Sequence, residues 1–320
     1  MLFADLALQR ASTDGFAAAL AHARDERVEP SDRARAALIA LINADNRCDR
    51  EAFKIAHAQL ELLLGLPGTE LPSMQGRLIN AAVHGNFAAA LEAATTLVRL
   101  LERDGNVAEL PQAIRSLATV QRFLGDRHAA LRSLGRATRV AATFGMSHEA
   151  WLTQLLKTGI LLDLGDILEA QVSLSQMQTD ASADKDGFRR ELYMICWSRY
   201  AFESGLVETR KAGKRLAQLR HFSAPNPRAC TERAAGMVAM SLAIPSTLEV
   251  SALTDELLVA LERTMSWGLQ DYAVAVAIMA LSHVQRLTEA KSLVTKYLES
   301  VRLESSALAV CLYRALDIVE

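Results

Sequence analysis

Histidine and cysteine, the side chains that most often bind metals, are scattered along this chain without the spacing of a known site. The seven histidines include no His-Glu-x-x-His pair, which would place two zinc ligands on one face of a helix. The four cysteines, Cys48, Cys196, Cys230 and Cys311, form no Cys-x-x-Cys motif and are typical of reduced, buried thiols. The sequence therefore predicts no bound metal and no disulfide framework.

Motifs for nucleophilic catalysis and for nucleotide binding do not occur either. The chain has no Gly-x-Ser-x-Gly turn, no dinucleotide-binding glycine loop and no Gly-x-x-x-x-Gly-Lys-Ser/Thr loop. Carboxylates such as Asp163 and Asp166 fall in predicted turns, where we expect them to be hydrated. His84 directly precedes a turn glycine, where it is expected to contact the last carbonyl oxygens of its helix. We therefore predict no cofactor and no enzymatic activity; a helical-repeat enzyme would need a cluster of perturbed acids or histidines.

Charge and hydropathy narrow the class of partner. The net charge of the 320 residues is −2, so the chain lacks the basic excess of a nucleic-acid-binding protein. The longest apolar run, about residues 273–281, is about half as long as a membrane span. The first residues include Asp5 and no basic segment, unlike a signal peptide. We expect a cytoplasmic protein that contacts neither nucleic acid nor membrane directly.

A repeat sets the elements that must carry any binding site. Gly85, Gly125, Gly165 and Gly205 stand forty residues apart, each between two apolar stretches of helical character. Behind each turn, apolar residues recur with the 3.6-residue period of a helix that packs on a core. The first such stripe is Ala90, Ala94, Leu97 and Leu101. The residues after three of the glycines are suited to cap the next helix: Asn86, Asp126 and Asp166.

The forty-residue spacing continues in units that have no glycine at the turn. Pro245 and Gln285 occupy the turn position in two later units, and Asp45 with Asn46 occupies it in an earlier one. A polar run over residues 178–187 is predicted to be a loop between units. We predict an all-α solenoid of about seven antiparallel helix pairs over residues 31–304, preceded by an irregular helical cap over residues 1–30.

The turns also resemble those of a known family. Gly85-Asn86…Ala90, Gly125-Asp126…Ala130 and Gly165-Asp166…Ala170 resemble the turn of tetratricopeptide repeats. The resemblance covers about residues 31–301, although the unit is forty residues rather than thirty-four and the Trp-x-x-Leu-Gly-x-x-Tyr signature is not evident. It implies a right-handed superhelix. Units of this length are similar to the sensor solenoid of maltose-activator-type LuxR regulators, whose ATPase and helix-turn-helix parts are not recognisable here.

The resemblance implies that the first helix of each pair lines a concave groove. Counting back from each turn gives the candidate partner-binding residues: Arg115, Thr119, Arg122, Leu155, Leu162, Ile195, Arg199, Phe202 and Tyr272. The apolar side of a guest peptide would lie on residues such as Leu155 and Phe202, and the arginines would bind a carboxylate of the guest. The alternative is that these apolar residues pack against neighbouring helices.

Residues 305–320 form a C-terminal segment that is apolar around most of its predicted helix, as is typical of a buried helix. Three arrangements would bury it: packing on the last repeat, a homodimer contact, or cover by a partner protein. In a homodimer the candidate contact residues are Leu308, Leu312 and Leu316.

These features together predict a non-catalytic adaptor or regulatory sensor that binds a peptide or protein segment in the groove. The alternative is the small-molecule-sensing module of a transcription regulator, with its effector in the same groove.

Overall fold

The computed structural model describes residues 13–183, 188–205, 209–221, 227–243, 247–264 and 271–300, and these residues form helices and turns with no strand. The helices are α1 (Thr13–Arg24), α2 (Pro30–Asn46), α3 (Arg50–Leu62), α4 (Glu70–Val83), α5 (Phe87–Arg103), α6 (Leu110–Phe123), α7 (Arg127–Thr143), α8 (Ser147–Asp163), α9 (Ile167–Ala183), α10 (Phe188–Ser204), α11 (Thr209–Arg220), α12 (Pro227–Ser241), α13 (Thr247–Glu262), α14 (Asp271–His283) and α15 (Leu287–Ser300).

After α1, the helices of the described ranges follow one another as seven pairs, from α2 with α3 to α14 with α15. Each helix packs on the next one in the chain. First helices also pack on the first helix of the following pair, as α6 does on α8, α8 on α10, and α10 on α12. Contacts between sequential neighbours are the defining feature of a solenoid. The prediction of an all-α solenoid is confirmed.

The glycine turns have the predicted conformation. Positive φ angles occur at all four glycines of the repeat: Gly85, Gly125, Gly165 and Gly205. At the first turn, the N–H of Asn86 donates to the carbonyl oxygen of Ala81 at 2.9 Å, which closes the end of α4. The side chain of Asn86 then accepts a hydrogen bond from the N–H of Ala89 at 3.2 Å and caps α5. The same cap forms at Asp126 and Asp166.

Turns between units contain a second glycine series, of which Gly65 and Gly105 are predicted from the sequence to separate units. Gly65, Gly105 and Gly145 are also forty residues apart, and their φ values are 83°, 64° and 66°. Each lies twenty residues before one of the predicted glycines, so a glycine ends a helix about every twenty residues in this part of the chain. Gln285 occupies the turn position of a unit that has no glycine there, and its φ is also positive, at 63°.

Two predicted boundaries are wrong. Helix α2 continues through Asn46, and the turn follows it, with Cys48 at a φ of 53°. The side chain of Asp49 accepts from the N–H of Ala52 at 3.0 Å, so the cap of α3 fixes the turn there. Helix α9 continues through Ala183, so residues 178–183 are helical, because polar residues on an exposed helix face do not end a helix. Residues 184–187 and Pro245 lie outside the described residues.

The apolar stripes on the second helix of each pair form the core between units. The four stripe residues of α7 are buried: Ala130, Leu134, Ala137 and Ala141. Complete burial of a leucine side chain contributes about 1.5–3 kcal/mol to stability. Thr254, the polar member of the α13 stripe, is also buried, and its hydroxyl donates to the carbonyl oxygen of Val250 at 2.6 Å. This local bond satisfies the hydroxyl without a partner from another helix.

The predicted N-terminal cap and the predicted C-terminal helix stay predictions. Residues 1–12 and 301–320 lie outside the described residues, and with them the candidate homodimer contacts Leu308, Leu312 and Leu316. No helix in the described ranges has the combined length and hydropathy that a membrane-spanning segment needs.

Candidate partner-binding surface

A buried carboxylate joins two of the predicted groove residues. Asp163 is the last residue of α8, and its side chain is only 8% exposed. Arg122 Nε of α6 donates to Asp163 Oδ2, and Arg199 Nη2 of α10 donates to Asp163 Oδ1 at 2.5 Å. The expectation of a hydrated Asp163 is therefore wrong. The residue ends a first helix, whose inner side faces the first helices of the neighbouring units.

The same cluster extends to the seventh helix pair. Arg122 Nη2 donates to Oδ2 of Asp271, the first residue of α14, at 2.9 Å. Next to it, the ring centroid of Tyr272 lies 5.0 Å from the guanidinium carbon of Arg199, within the range of a cation–π contact. All these residues belong to first helices, namely α6, α8, α10 and α14. The third, fourth, fifth and seventh helix pairs therefore meet at this cluster. We call the surface that these four helices share the inner surface.

Opposite charges hold the cluster together in a desolvated environment. Burial favours a protonated Asp163, but the guanidinium groups of Arg122 and Arg199 outweigh burial, so the pKa of this carboxyl lies well below its usual range. Burial likewise favours neutral arginines, yet the carboxylates raise the pKa of Arg122 and of Arg199 above the usual value. Arg122 and Arg199 are therefore compensated by Asp163, by Asp271 and by Glu203, whose Oε1 accepts from Arg199 Nε at 2.9 Å.

Arg115 is paired as well. Its Nη1 atom donates to the carboxylate of Glu149 in the first turn of α8. Thr119, one turn further along α6, donates its hydroxyl to the carbonyl oxygen of Arg115 at 3.0 Å. Each of the three arginines thus already binds a carboxylate of this chain. Binding of a guest carboxylate by these arginines stays a prediction, and it requires an exchange of partners.

The predicted apolar lining divides into two groups. Leu162 and Ile195 are 1% and 8% exposed and belong to the packed core, so they offer little surface in this conformation. Leu155 and Phe202 are half-buried and keep part of their surface accessible. The accessible apolar surface among the predicted residues is therefore carried by α8 and α10.

The carboxylates of this surface are not among the predicted groove residues. Asp163 lies 41 residues after Arg122 and 36 residues before Arg199, which is close to one repeat in each direction. Charged residues of opposite sign at similar positions of consecutive units were thus a usable signal. Asp271 carries no such signal, because it meets Arg122 from four units away.

Other predicted features can be compared with the structure directly. His84 Nδ1 donates to the carbonyl oxygen of Asn80 at 2.8 Å, which confirms its predicted contact with the end of α4. Cys196 is buried as predicted, and burial raises the pKa of its thiol to about 12, whereas the prediction of burial is wrong for Cys48 and Cys230, which are only partly buried. The described residues contain no cluster of three or more histidines, cysteines or carboxylates that would suit a metal ion.

Comparison with protein families finds no matching family, and comparison with curated proteins finds no matching relative. Among solved structures, a Rap protein complexed with Competence and Sporulation Factor is similar in fold, with a TM-score of 0.61 and 12% sequence identity. The match covers 92% of this chain and 88% of that chain. The proposed similarity to LuxR-type regulators is not among these findings and stays a prediction. The likeness shows that the chain has the fold of a tetratricopeptide-like solenoid.

Proposed function

We propose that the protein is a non-catalytic adaptor or regulatory sensor that binds a peptide or protein segment along its inner surface. One observation carries the proposal: paired charges from α6, α8, α10 and α14 converge there, and accessible apolar surface of Leu155 and Phe202 lies on two of the same helices. Apolar surface combined with directional polar groups is the usual composition of a peptide-binding groove. The Rap protein of similar fold was solved in complex with a factor, which supports binding as the task of this solenoid.

The paired arginines are compatible with a guest that carries a carboxylate. Removing one partner from a buried ion pair costs about 3–5 kcal/mol, because a charge is left uncompensated. Exchanging Glu149 for a guest carboxylate avoids that cost, since Arg115 stays paired throughout. Glu149 and Glu203, whose side chains are 24% and 27% exposed, are better candidates for such an exchange than Asp163, whose side chain is 8% exposed.

The test is capture from a native lysate by the purified protein, followed by identification of the partner and measurement of its affinity. We expect Leu155→Asp to weaken binding of that partner at least about tenfold, because a desolvated contact residue is replaced by a charge. The matched control is Leu168→Asp on α9, whose side chain is 75% exposed. Circular dichroism verifies that both variants are folded. Equal affinity of Leu155→Asp and the unchanged protein would exclude the inner surface as the binding site.

A second candidate function is the sensing of a small molecule at the same surface, as in the sensor module of a transcription regulator. The observation that favours it is the hydroxyl of Tyr272, which is buried and has no hydrogen-bond partner among the described residues. A polar ligand would satisfy this group. Native mass spectrometry of the protein from its own host would detect such a ligand, and Tyr272→Phe would lower its occupancy. A ligand bound equally by the variant would contradict this assignment.

A further inference from the structure

A second cleft lies on the side of α10 that is opposite the inner surface, and its charge differs from that of the inner surface. Helices α9, α10 and α11 enclose about 370 Å³, a volume within the range of small-molecule sites. Arg190 of α10 lines this cleft, whereas Arg199 of the same helix binds Asp163 at the inner surface. The two arginines are nine residues apart, about two and a half turns, and so lie on opposite sides of the helix. The cleft and the inner surface are therefore separate sites.

The cleft is positively charged. The guanidinium groups of Arg190 and Arg215 line it, and its described lining residues include no aspartate or glutamate. Within the described part of the chain, neither Arg190 nor Arg215 forms an ion pair. This sets both apart from the arginines of the inner surface, each of which has a carboxylate partner. Arg190 also lies early in α10, where the helix dipole adds further positive potential.

Neutral contacts hold Arg215 in place. Its Nη1 atom lies 3.1 Å from the sulfur of Met194 and donates to Oε1 of Gln218 at 3.0 Å. Its guanidinium carbon lies 4.7 Å from the ring centroid of Trp197. These contacts fix the orientation of the guanidinium group and leave its charge uncompensated. A fixed guanidinium group presents its remaining N–H donors in the planar fork that fits carboxylate and phosphate oxygens.

We propose that this cleft binds a small organic anion. The carboxylate or phosphate of the ligand lies between Arg215 and Arg190, and its apolar body packs against Tyr193 and Met194, which also line the cleft. The three helices around the cleft favour a compact molecule over an extended peptide. The proposal is independent of any guest at the inner surface.

Isothermal titration calorimetry of the full chain tests the proposal with three probes. Phenyl phosphate and benzoate represent the two anion types, and benzyl alcohol is the neutral analogue. We expect both anions to bind more tightly than benzyl alcohol. We also expect Arg215→Gln and Arg190→Gln each to weaken anion binding about tenfold, as loss of a charge-assisted hydrogen-bonding group does. The control Arg132→Gln, an exposed arginine on α7, should leave the affinity unchanged.

The outcomes are decisive in both directions. Tighter binding of either anion, with loss of affinity in the cleft variants alone, supports the site, and the preferred anion identifies the head group of the ligand. No detectable binding of either anion up to about 10 mM, or equal affinity for benzyl alcohol, overturns the proposal. Arg215 packs against Trp197, so Arg215→Gln can affect folding. Arg190 is exposed, and unchanged affinity in a folded Arg190→Gln variant overturns the proposal on its own.

Discussion

Arg122 and Asp271 are 149 residues apart in the sequence, yet Nη2 of the arginine lies 2.9 Å from Oδ2 of the aspartate. They belong to the third and the seventh helix pair. In a repeat protein, stability is largely a sum of terms between neighbouring units. This ion pair adds a contact between distant units, and Asp163 and Arg199 extend it to the fourth and fifth. We therefore expect these four units to unfold more cooperatively than a linear array would.

The first prediction concerns the centre of this network. Asp163→Asn removes the carboxylate that Arg122 and Arg199 share, so two buried guanidinium groups lose a counter-charge. We expect the free energy of unfolding in urea to fall by about 3–5 kcal/mol. The control Asp180→Asn, at an exposed position on α9, should change it by less than about 0.5 kcal/mol. A loss below about 1 kcal/mol at Asp163 would mean that the network contributes little to stability.

The second prediction is the pH dependence of that contribution. The pKa of Asp163 in the folded protein lies below its value in the unfolded chain, which is about 3.9. The folded state therefore binds fewer protons, and the stabilisation is fully present above about pH 4 and is lost as the pH falls further. Urea titrations between about pH 7 and pH 2 should show the gap between the unchanged protein and Asp163→Asn narrowing below pH 4. Parallel curves over this range would contradict the prediction.

The third prediction uses two equivalent turns. Gln285 adopts a φ of 63°, which costs a residue with a side chain about 1–2 kcal/mol, whereas Gly165 occupies the same conformation without strain. Gln285→Gly should therefore raise the free energy of unfolding by about 0.5–1 kcal/mol, after the greater entropy of glycine in the unfolded chain is subtracted. Gly165→Ala, which has open space around its added methyl group, should lower it by a similar amount. Thermal melts that show the same sign for both changes would refute the turn argument.

The fourth prediction concerns the packing of α4 on α2 and α3. A Cβ atom on Gly76 would lie 2.1 Å from Cδ2 of Leu60 and 3.6 Å from Cδ2 of Leu41, and both leucines are buried. Gly76→Ala should cost about 1–3 kcal/mol through overpacking. Gly135→Ala in α7, where the nearest atom is 3.9 Å away, should instead stabilise the protein by up to about 1 kcal/mol.

A double-mutant cycle tests the cause of this cost. Leu60→Ala removes the atom that clashes, so the combined variant should lose less stability than the sum of the two single changes. Strict additivity in urea denaturation would show that Gly76 is needed for a reason other than contact with Leu60.

Local signals were sufficient to predict the repeat. The turn at Gly85, the cap at Asn86 and the buried stripe of α5 each depend on residues within a few positions of one another, so they are visible in the sequence. The turn predicted at Asp45 and Asn46 was misplaced, because Cys48 adopts the positive φ that elsewhere belongs to glycine. Gly65 and Gly105 also mark the breaks between units in the sequence, and Gly145 continues the same spacing.

The inner surface was predictable only in part. Arg122, Arg199 and Tyr272 were assigned from the repeat register, and the structure does bring them together. Their engagement with Asp163 and Asp271 was not foreseen, because a pairing across four units depends on the small rotation between successive helix pairs, summed along the chain. No short segment of sequence encodes that sum.

The sequence by itself determined the helix pairs, their turns and the faces they bury, because each rests on local hydrogen bonding and on a hydrophobic period within one helix. Tertiary structure alone decided that Asp163 is buried between two arginines, and that Arg190 and Arg215 face a cleft without a carboxylate partner among the described residues. The physical reason is that the electrostatic environment of a charge is set by its neighbours in space, and here those neighbours come from different units of the repeat.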